Sequence, residues 1–210
     1  MGHCVARKWF TLTTAVALYS ASASAAPVPL IQGVVPLQIV NGVNMVDDFD
    51  GHGRRAMIIL GRRDNGNAHG YHLITVMLPS KLGDRDWNVV AIETRQGFED
   101  TLRDDPHTGE GVVRAVRLVR AQLEGRRSVL LVVATRAIGQ SIPEPSRVTL
   151  ETFTLKSGSN EGAGVIQEYF SLVSSKRTDA LYCNAEMALK TEFGIPLPGI
   201  YEGGRSKTGC

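Results

Sequence analysis

The sequence has no excess of charge of either sign and little cysteine. Its 210 residues contain 23 Lys and Arg against 21 Asp and Glu, and three cysteines. A nucleic-acid-binding protein needs a clustered basic surface, because phosphate contacts dominate its affinity. The balanced charge therefore gives no support to a nucleic-acid partner.

Motifs that carry catalysis are also missing. The sequence contains no G-x-S-x-G or S-x-x-K for a nucleophilic serine, and no H-E-x-x-H or H-x-H-x-D for a catalytic metal. The glycines after Asp50 lack the lysine of a phosphate-binding loop. These absences favour a non-enzymatic protein, although catalytic groups need only be close in space. An uncharacterised metal-assisted hydrolase that uses Asp48, Asp50, His69 or His72 is the alternative.

The first 25 residues have the pattern of a secretory signal peptide. Arg7 and Lys8 precede an apolar run that is too short to span a bilayer, and small residues lead to a cleavage site after Ala25. We therefore expect a periplasmic or secreted protein with no integral membrane segment after cleavage. Removing residues 1–25 takes away two basic residues and no acid, so 23 basic and 21 acidic residues become 21 of each.

Export also bears on the cysteines. Cleavage removes Cys4 and leaves Cys183 and Cys210, which in an oxidising compartment are a natural disulfide pair. The bridge would tie the C-terminal residue to the body of the protein. The alternative is a buried thiol at residue 183 and a free thiol at residue 210.

The order of hydrophobic patterns predicts an α+β fold, a mainly antiparallel β-sheet with two helices, in a single domain over residues 26–210. Residues 26–44 are a linker or an edge strand, and residues 96–110 a surface loop. The predicted helices cover residues 111–125, with Gly125 at the C-terminus, and residues 179–194, capped by Thr178 or Asp179 and by Gly194. The predicted strands are 56–60 and 71–78, which form a hairpin, then 87–94, 129–135, 148–155 and 165–173.

Three arginines recur at every third position in the first predicted helix. They are Arg114, Arg117 and Arg120, opposite the face that carries Val112, Val116 and Val119. We expect a solvated outer face, with an anion-binding face as the alternative.

The stretch DFDGHGRRA, residues 48–56, resembles the calcium loop D-x-D-G-D-G-x-x-D of integrin-type propeller repeats. In that frame carboxylates occupy the first, third, fifth and ninth positions. Here the fifth and ninth positions hold His52 and Ala56, so Asp48 and Asp50 alone remain as metal ligands. The sequence therefore predicts an Asp-Gly turn and no cofactor, with weak calcium binding as the alternative.

The next loop, RRDNGNAHG at residues 62–70, combines charged, amide and imidazole side chains at the end of the predicted hairpin. His69 and His72 would point to opposite faces of one strand, which does not suit a zinc site. Hydrogen-bonding groups on a rigid hairpin suit the binding of a small molecule or a periplasmic partner protein. The candidate binding residues are Arg62, Arg63, Asp64, Asn65, Asn67 and His69. The alternative is that these residues serve only ordinary turn chemistry.

Four phrases together resemble a known family. VDDFDGHGR, NAHGY, LLVVATR and LYCNAEMALKTEFGIPLP are similar to segments of small exported bacterial proteins of the carbapenem intrinsic-resistance type. The resemblance covers most of residues 26–210. It implies a periplasmic protein that protects against carbapenems without being a β-lactamase, by binding the drug or shielding its target. It supplies no catalytic residues.

The predicted disulfide has a direct test. The chain without residues 1–25, denatured but not reduced, should show no reactive thiol in a thiol-titration assay, because both sulfurs would be bonded. Two reactive thiols per chain would rule out the Cys183–Cys210 bridge.

Overall fold

Two β-sheets that share an apolar core make up most of the computed structural model. The structure describes residues 31–66, 70–80, 86–104, 111–141, 143–158 and 166–197. The strands are β1 (Ile31–Pro36), β2 (Gly42–Val46), β3 (Ala56–Arg63), β4 (Tyr71–Pro79), β5 (Trp87–Val89), β6 (Ala91–Thr94), β7 (Gly97–Glu99), β8 (Leu102–Arg103), β9 (Arg114–Leu123), β10 (Arg126–Arg136), β11 (Val148–Ser157) and β12 (Glu168–Arg177). One helix, α1 (Ala185–Phe193), follows them. The signal peptide predicted for residues 1–25 lies outside the described residues.

The two sheets differ in size. Sheet 1 has seven strands in the order β1-β9-β10-β11-β12-β6-β7, and all its pairs are antiparallel except β12 with β6. Sheet 2 has the order β2-β3-β4-β5, with β8 also paired to β4, and is antiparallel throughout. The antiparallel pairing expected from short hairpin links is thus confirmed for most of the fold.

Strand β10 contains the apolar run VLLVVAT, residues 129–135, and is buried on both faces. Val129, Leu131 and Val133 face the inner core between the two sheets. The residues between them, Leu130, Val132 and Ala134, face an outer core under α1 and the segment that follows it. Alternation along a strand therefore supplies two cores from one run.

The α+β prediction with two helices is wrong. Residues 111–125 are not a helix: they contain β9, which lies between β1 and β10 in sheet 1. Because both faces of β9 are covered, its buried residues do not alternate with polar ones, and their spacing resembles that of a helix. Glu124 and Gly125 both have positive φ, at 51° and 78°, and form the two-residue turn to β10.

The arginine stripe predicted for that helix is wrong for the same reason. In a strand, residues three apart point to opposite faces. Arg114 and Arg120 are therefore on the inner-core side of β9, with Val116 and Leu118, whereas Arg117 is on the side of α1.

The second predicted helix exists but begins later. The structure starts α1 at Ala185, because the Asn184 side chain, rather than Thr178 or Asp179, accepts the hydrogen bond from the backbone N–H of Glu186. Gly194 ends it in the left-handed conformation, as predicted. Among the described residues, no helix is long and apolar enough to span a membrane.

The remaining element predictions are mostly confirmed. The hairpin of residues 56–78 is β3 and β4, and residues 148–155 lie in β11. Residues 26–44 include the edge strand β1, and the strand predicted at 165–173 is β12, shifted to Glu168–Arg177. Residues 87–94 form two strands in different sheets, because buried Val90 separates β5 from β6. Part of the 96–110 loop forms β7 and β8, and residues 105–110 lie outside the described residues.

The Asp-Gly turn between β2 and β3 docks against sheet 1. Its Phe49 is fully buried in the inner core, with its ring 6.2 Å from that of Phe170 in an edge-to-face arrangement. The backbone carbonyl of Phe49 accepts a hydrogen bond from the N–H of Val129 at 3.1 Å. Gly51 has φ +76°, and a Cβ built there would lie 2.1 Å from the carbonyl oxygen of Arg127. This turn therefore fixes sheet 2 on sheet 1.

Replacing Gly51 with Ala should lower the free energy of unfolding by more than about 3 kcal/mol, because left-handed strain and a clash with backbone add together. Gly53→Ala is the matched control: its φ is +89°, but nothing lies within 4 Å of the added Cβ. It should cost about 1–2 kcal/mol from backbone strain alone. Urea unfolding measures both, and equal losses would show that the contact with Arg127 is not needed.

Candidate functional site

A cleft of about 580 Å³ opens at the edge of the inner core. We call it the Arg117 cleft. Its volume lies within the range of about 300–1,000 Å³ that is usual for small-molecule sites. Its polar lining consists of Gln38, His72, Asp104 and Arg117. Its apolar walls are Pro36, Leu37, Ile39, Leu60, Ile74, Val116, Leu118, Pro196 and Leu197.

His72 and Asp104 form a close pair in this cleft. His72 continues the row of β4 residues that faces the inner core, next to Ile74, and Asp104 follows β8, which is paired to β4. The His72 Nδ1 lies 2.8 Å from Asp104 Oδ2, and the backbone N–H of His72 donates to Asp104 Oδ1 at 2.6 Å. A carboxylate on Nδ1 orients the ring and leaves Nε2 of a neutral imidazole as an acceptor. His72 is thus held ready to accept a proton or a hydrogen bond.

Arg117 crosses from β9 to α1. It donates to Glu186 Oε1 at 2.5 Å and to its neighbour's carbonyl, that of Val116, at 2.8 Å. Asn184 caps α1 and the N–H of Ala185 donates to the carbonyl of Val112 at 2.9 Å, so the first turn of the helix is held beside β9. Two bonds leave three of the five N–H donors of this guanidinium without a described partner.

Glu186 is almost completely buried, with 5% of its surface exposed. Burial raises the pKa of its carboxyl above the ordinary value, and nearby Asp104 raises it further. Arg117 lowers the pKa but does not outweigh burial. A buried carboxyl thus lies behind the lining of the cleft, bonded to Arg117 and close enough to Asp104 for the two acids to interact.

The loop predicted to bind ligands begins beside this cleft. Arg62 and Arg63 are the last residues of β3, and Arg62 lies opposite His72 in the β3–β4 pairing, on the same face as Leu60. Asp64 accepts a hydrogen bond from the N–H of Gly66 at 2.9 Å, which makes it a turn residue. The Oδ1 of Asn65, another predicted residue, accepts a hydrogen bond from Arg63 Nε at 3.3 Å. The last two predicted residues, Asn67 and His69, lie outside the described residues.

The carboxylates of the Asp-Gly turn accept hydrogen bonds from the turn itself. Asp48 Oδ1 accepts from the N–H of Gly53 at 2.8 Å. Asp50 Oδ1 accepts from the N–H groups of His52 and Arg54 at 2.9 and 3.2 Å. The described residues contain no group of three or more His, Cys, Asp or Glu that could hold a metal ion. Weak calcium binding by Asp48 and Asp50 stays a prediction.

A guanidinium also lies between two acids at this turn. Arg54 donates to Asp50 Oδ2 at 2.6 Å and to buried Glu168 Oε1 at 2.8 Å, and the Ser157 hydroxyl donates to Glu168 Oε2 at 2.9 Å. Burial raises the pKa of Asp50, but hydrogen bonds from Arg54 and His52 outweigh it, so the net pKa is lowered. The hydrogen bond with Glu168 is the main reason that the pKa of Arg54 is raised. The cation bonded to these two acids is therefore a residue of the turn itself, Arg54.

Sequence reasoning did not find Asp104 and Arg117, which line the cleft, or Glu186, to which Arg117 is bonded. Asp104 was part of a polar loop, and Arg117 was expected on the outside of a helix. Glu186 does leave a signal, because it is an acid within a run of small and apolar residues, between Ala185 and Met187. The predicted bridge from Cys183 stays a prediction, since Cys210 lies outside the described residues.

The raised pKa of Glu186 implies that the free energy of unfolding depends on pH. A carboxyl whose pKa is higher in the folded state contributes stability that is fully present below the unfolded value, 4.5, and is lost as pH rises through the folded pKa. The free energy of unfolding of the wild type should therefore fall relative to that of Glu186→Gln as pH rises above 4.5. Urea unfolding of both proteins across this range measures the difference, in which other titrating groups cancel. A pH-independent difference would contradict the assignment.

The fold is similar to that of a protein of known structure. The structure is similar to the crystal structure of CarG, with a TM-score of 0.61 and 20% sequence identity over 78% of this chain and 99% of that chain. At this identity the likeness shows the fold alone. No curated protein matches the chain. The family model described as carbapenem resistance protein CarG-like matches residues 39–191, which is well over half of the sequence. The chain therefore belongs to the CarG-like family of carbapenem resistance proteins.

Proposed function

We propose that this protein is exported and contributes to carbapenem tolerance by binding a carbapenem in the Arg117 cleft, without turning it over. Export is supported by the basic, apolar and small-residue pattern of residues 1–25. A role in carbapenem resistance is supported by the family. The observation that carries the proposal is the cleft itself, which combines apolar walls with Arg117 and the His72–Asp104 pair.

The chemical groups of a carbapenem suit the residues that line the Arg117 cleft. A carbapenem is a compact bicyclic β-lactam that carries a carboxylate. Arg117 has N–H donors in excess of its bonds to Glu186 and Val116, and a guanidinium binds a carboxylate with two parallel hydrogen bonds. Leu60 and Ile74 offer apolar surface to the ring system. Polar anchors in a mostly apolar pocket are the usual arrangement for a small molecule.

The polar groups of the cleft are also held in place before any ligand arrives. Asp104 fixes the His72 ring from two directions, and Glu186 fixes the Arg117 guanidinium. Groups that are already ordered lose less entropy on binding, which favours affinity. The cleft therefore suits a protein that sequesters its ligand.

A second candidate function, hydrolysis, rests on the His72–Asp104 pair. A histidine oriented by a carboxylate is the usual general base for activating water. In that case the Nε2 of His72 would take a proton from a water molecule as the water oxygen attacks the β-lactam carbonyl. The ring C–N bond would then break, and His72 would return the proton to the departing nitrogen. Consumption of the drug separates this function from binding.

Isothermal titration of the chain without residues 1–25 against meropenem should show saturable binding at one site. Arg117→Gln should weaken it by about tenfold or more, because a charge-assisted bond contributes about 1.5–3 kcal/mol. Gln38→Trp, at an exposed lining position, should weaken it by filling the cleft without disturbing the core. Arg126→Gln, at the exposed start of β10, is the control and should leave affinity unchanged.

The same samples test hydrolysis, because opening the β-lactam ring changes the ultraviolet absorbance of the drug. A stable absorbance together with binding supports sequestration, whereas a steady decline that His72→Asn abolishes would establish the hydrolase instead. Expression in a sensitive host should raise carbapenem tolerance, and deletion of residues 2–25 should remove the protection if it acts after export. Absence of both binding and turnover would overturn the use of this cleft.

A further inference from the structure

A second cleft, of about 790 Å³, also reaches the inner core. Ile92, Leu102, Val133 and Phe153 line it and belong to that core. Its rim carries charged groups of both signs, and one of them, Arg114 at the start of β9, is on the inner face of sheet 1. We call this opening the Arg114 cleft. Among the described residues, none lines both this cleft and the Arg117 cleft.

The side chain of Arg114 has an unmet hydrogen-bonding requirement. Its Nε is buried and has no hydrogen-bond partner. The other described arginines of β9 differ, because Arg117 is bonded to Glu186 and Arg120 donates to the backbone carbonyls of Asp47 and Asp48. Folded proteins rarely leave a buried donor unsatisfied, so such a donor in a cleft indicates a ligand that supplies the acceptor.

A carboxylate without a described partner faces the same cleft. Glu151 lies on β11 opposite Val133, which in turn lies opposite Val116, two residues along β9 from Arg114. Alternation therefore puts Arg114 and Glu151 on one face of sheet 1, two strands apart. Strand spacing and rise place their Cα atoms roughly 12 Å from each other. Among the described residues Glu151 makes no ion pair, so the two opposite charges are separated across the cleft.

The other charges exclude a simple anion as the ligand. Glu93 and Glu99 also line the cleft, against one further cation in the described part of the chain, Arg95. The Ser171 hydroxyl donates to Glu93 Oε2 at 2.8 Å, which commits that acid to the protein. The three acids of the cleft would repel a ligand that carries only negative charge. A ligand with one charge of each sign would instead meet an opposite charge at each end.

From these observations we propose that the Arg114 cleft binds a zwitterionic amino compound of the size of a short peptide. Its carboxylate lies against Arg114 and satisfies the buried Nε, and its ammonium group lies against Glu151. The hydroxyl of Thr135 offers a hydrogen bond to the amide between them, and Phe153 and Leu172 offer apolar contact to its side chains. This site is independent of carbapenem binding at the Arg117 cleft.

The test uses the dipeptide alanyl-alanine and two capped forms, N-acetyl-alanyl-alanine and alanyl-alanine amide, each of which lacks one charge. Isothermal titration of the chain without residues 1–25 should show saturable binding of the free dipeptide. Each cap should weaken binding by tenfold or more. Arg114→Gln should remove the preference for a free carboxylate, and Glu151→Gln the preference for a free ammonium group.

Controls separate binding from folding. Arg126→Gln, outside this cleft, should bind all three dipeptides as the wild type does. The Arg114→Gln protein should unfold at a urea concentration no lower than the wild type, because the arginine makes no described bond that its loss would break. A clear loss of stability in Arg114→Gln, no binding of the free dipeptide at millimolar concentration, or binding that neither caps nor variants change would each overturn the proposal.

Discussion

Strand β10 is covered on both faces, by side chains of sheet 2 and Phe49 on one side and by α1 on the other, and this double burial sets the position of the other elements. A fully buried Val or Leu side chain contributes about 1.5–3 kcal/mol. Five consecutive residues, 129–133, contribute in this way to two cores. Moving either neighbouring layer would expose one half of the run to water.

The two clefts lie where this layering ends. Within the sandwich, side chains from both sheets fill the inner core, whereas at its margins polar residues continue the same rows. His72 follows Ile74, Val76 and Leu78 on one face of β4, and Arg114 precedes Val116 and Leu118 on one face of β9. Polar side chains at the ends of apolar rows are therefore held by the fold and still reach solvent.

The arginines of β9 illustrate what could and could not be predicted from the sequence. Their regular spacing was visible, but a solvated helical face was the wrong interpretation. As a strand, the segment sends Arg120 to the Asp-Gly turn, Arg117 to Glu186 and Arg114 to a cleft where its Nε has no partner. Period 3.6 and a doubly buried strand give similar apolar patterns over ten residues, so local spacing alone does not separate them.

By itself, the sequence determined the β3–β4 hairpin, the buried strand at residues 129–135, the glycine that ends α1 and the family resemblance that comparison then confirmed. These features depend on residues that are neighbours in the chain, where periodicity and turn chemistry are informative. Tertiary structure alone decided that His72 meets Asp104 and that Arg117 meets Glu186. Those partners are 32 and 69 residues apart, and they come together because sheet pairing and helix docking, rather than local sequence, set which side chains share a cleft.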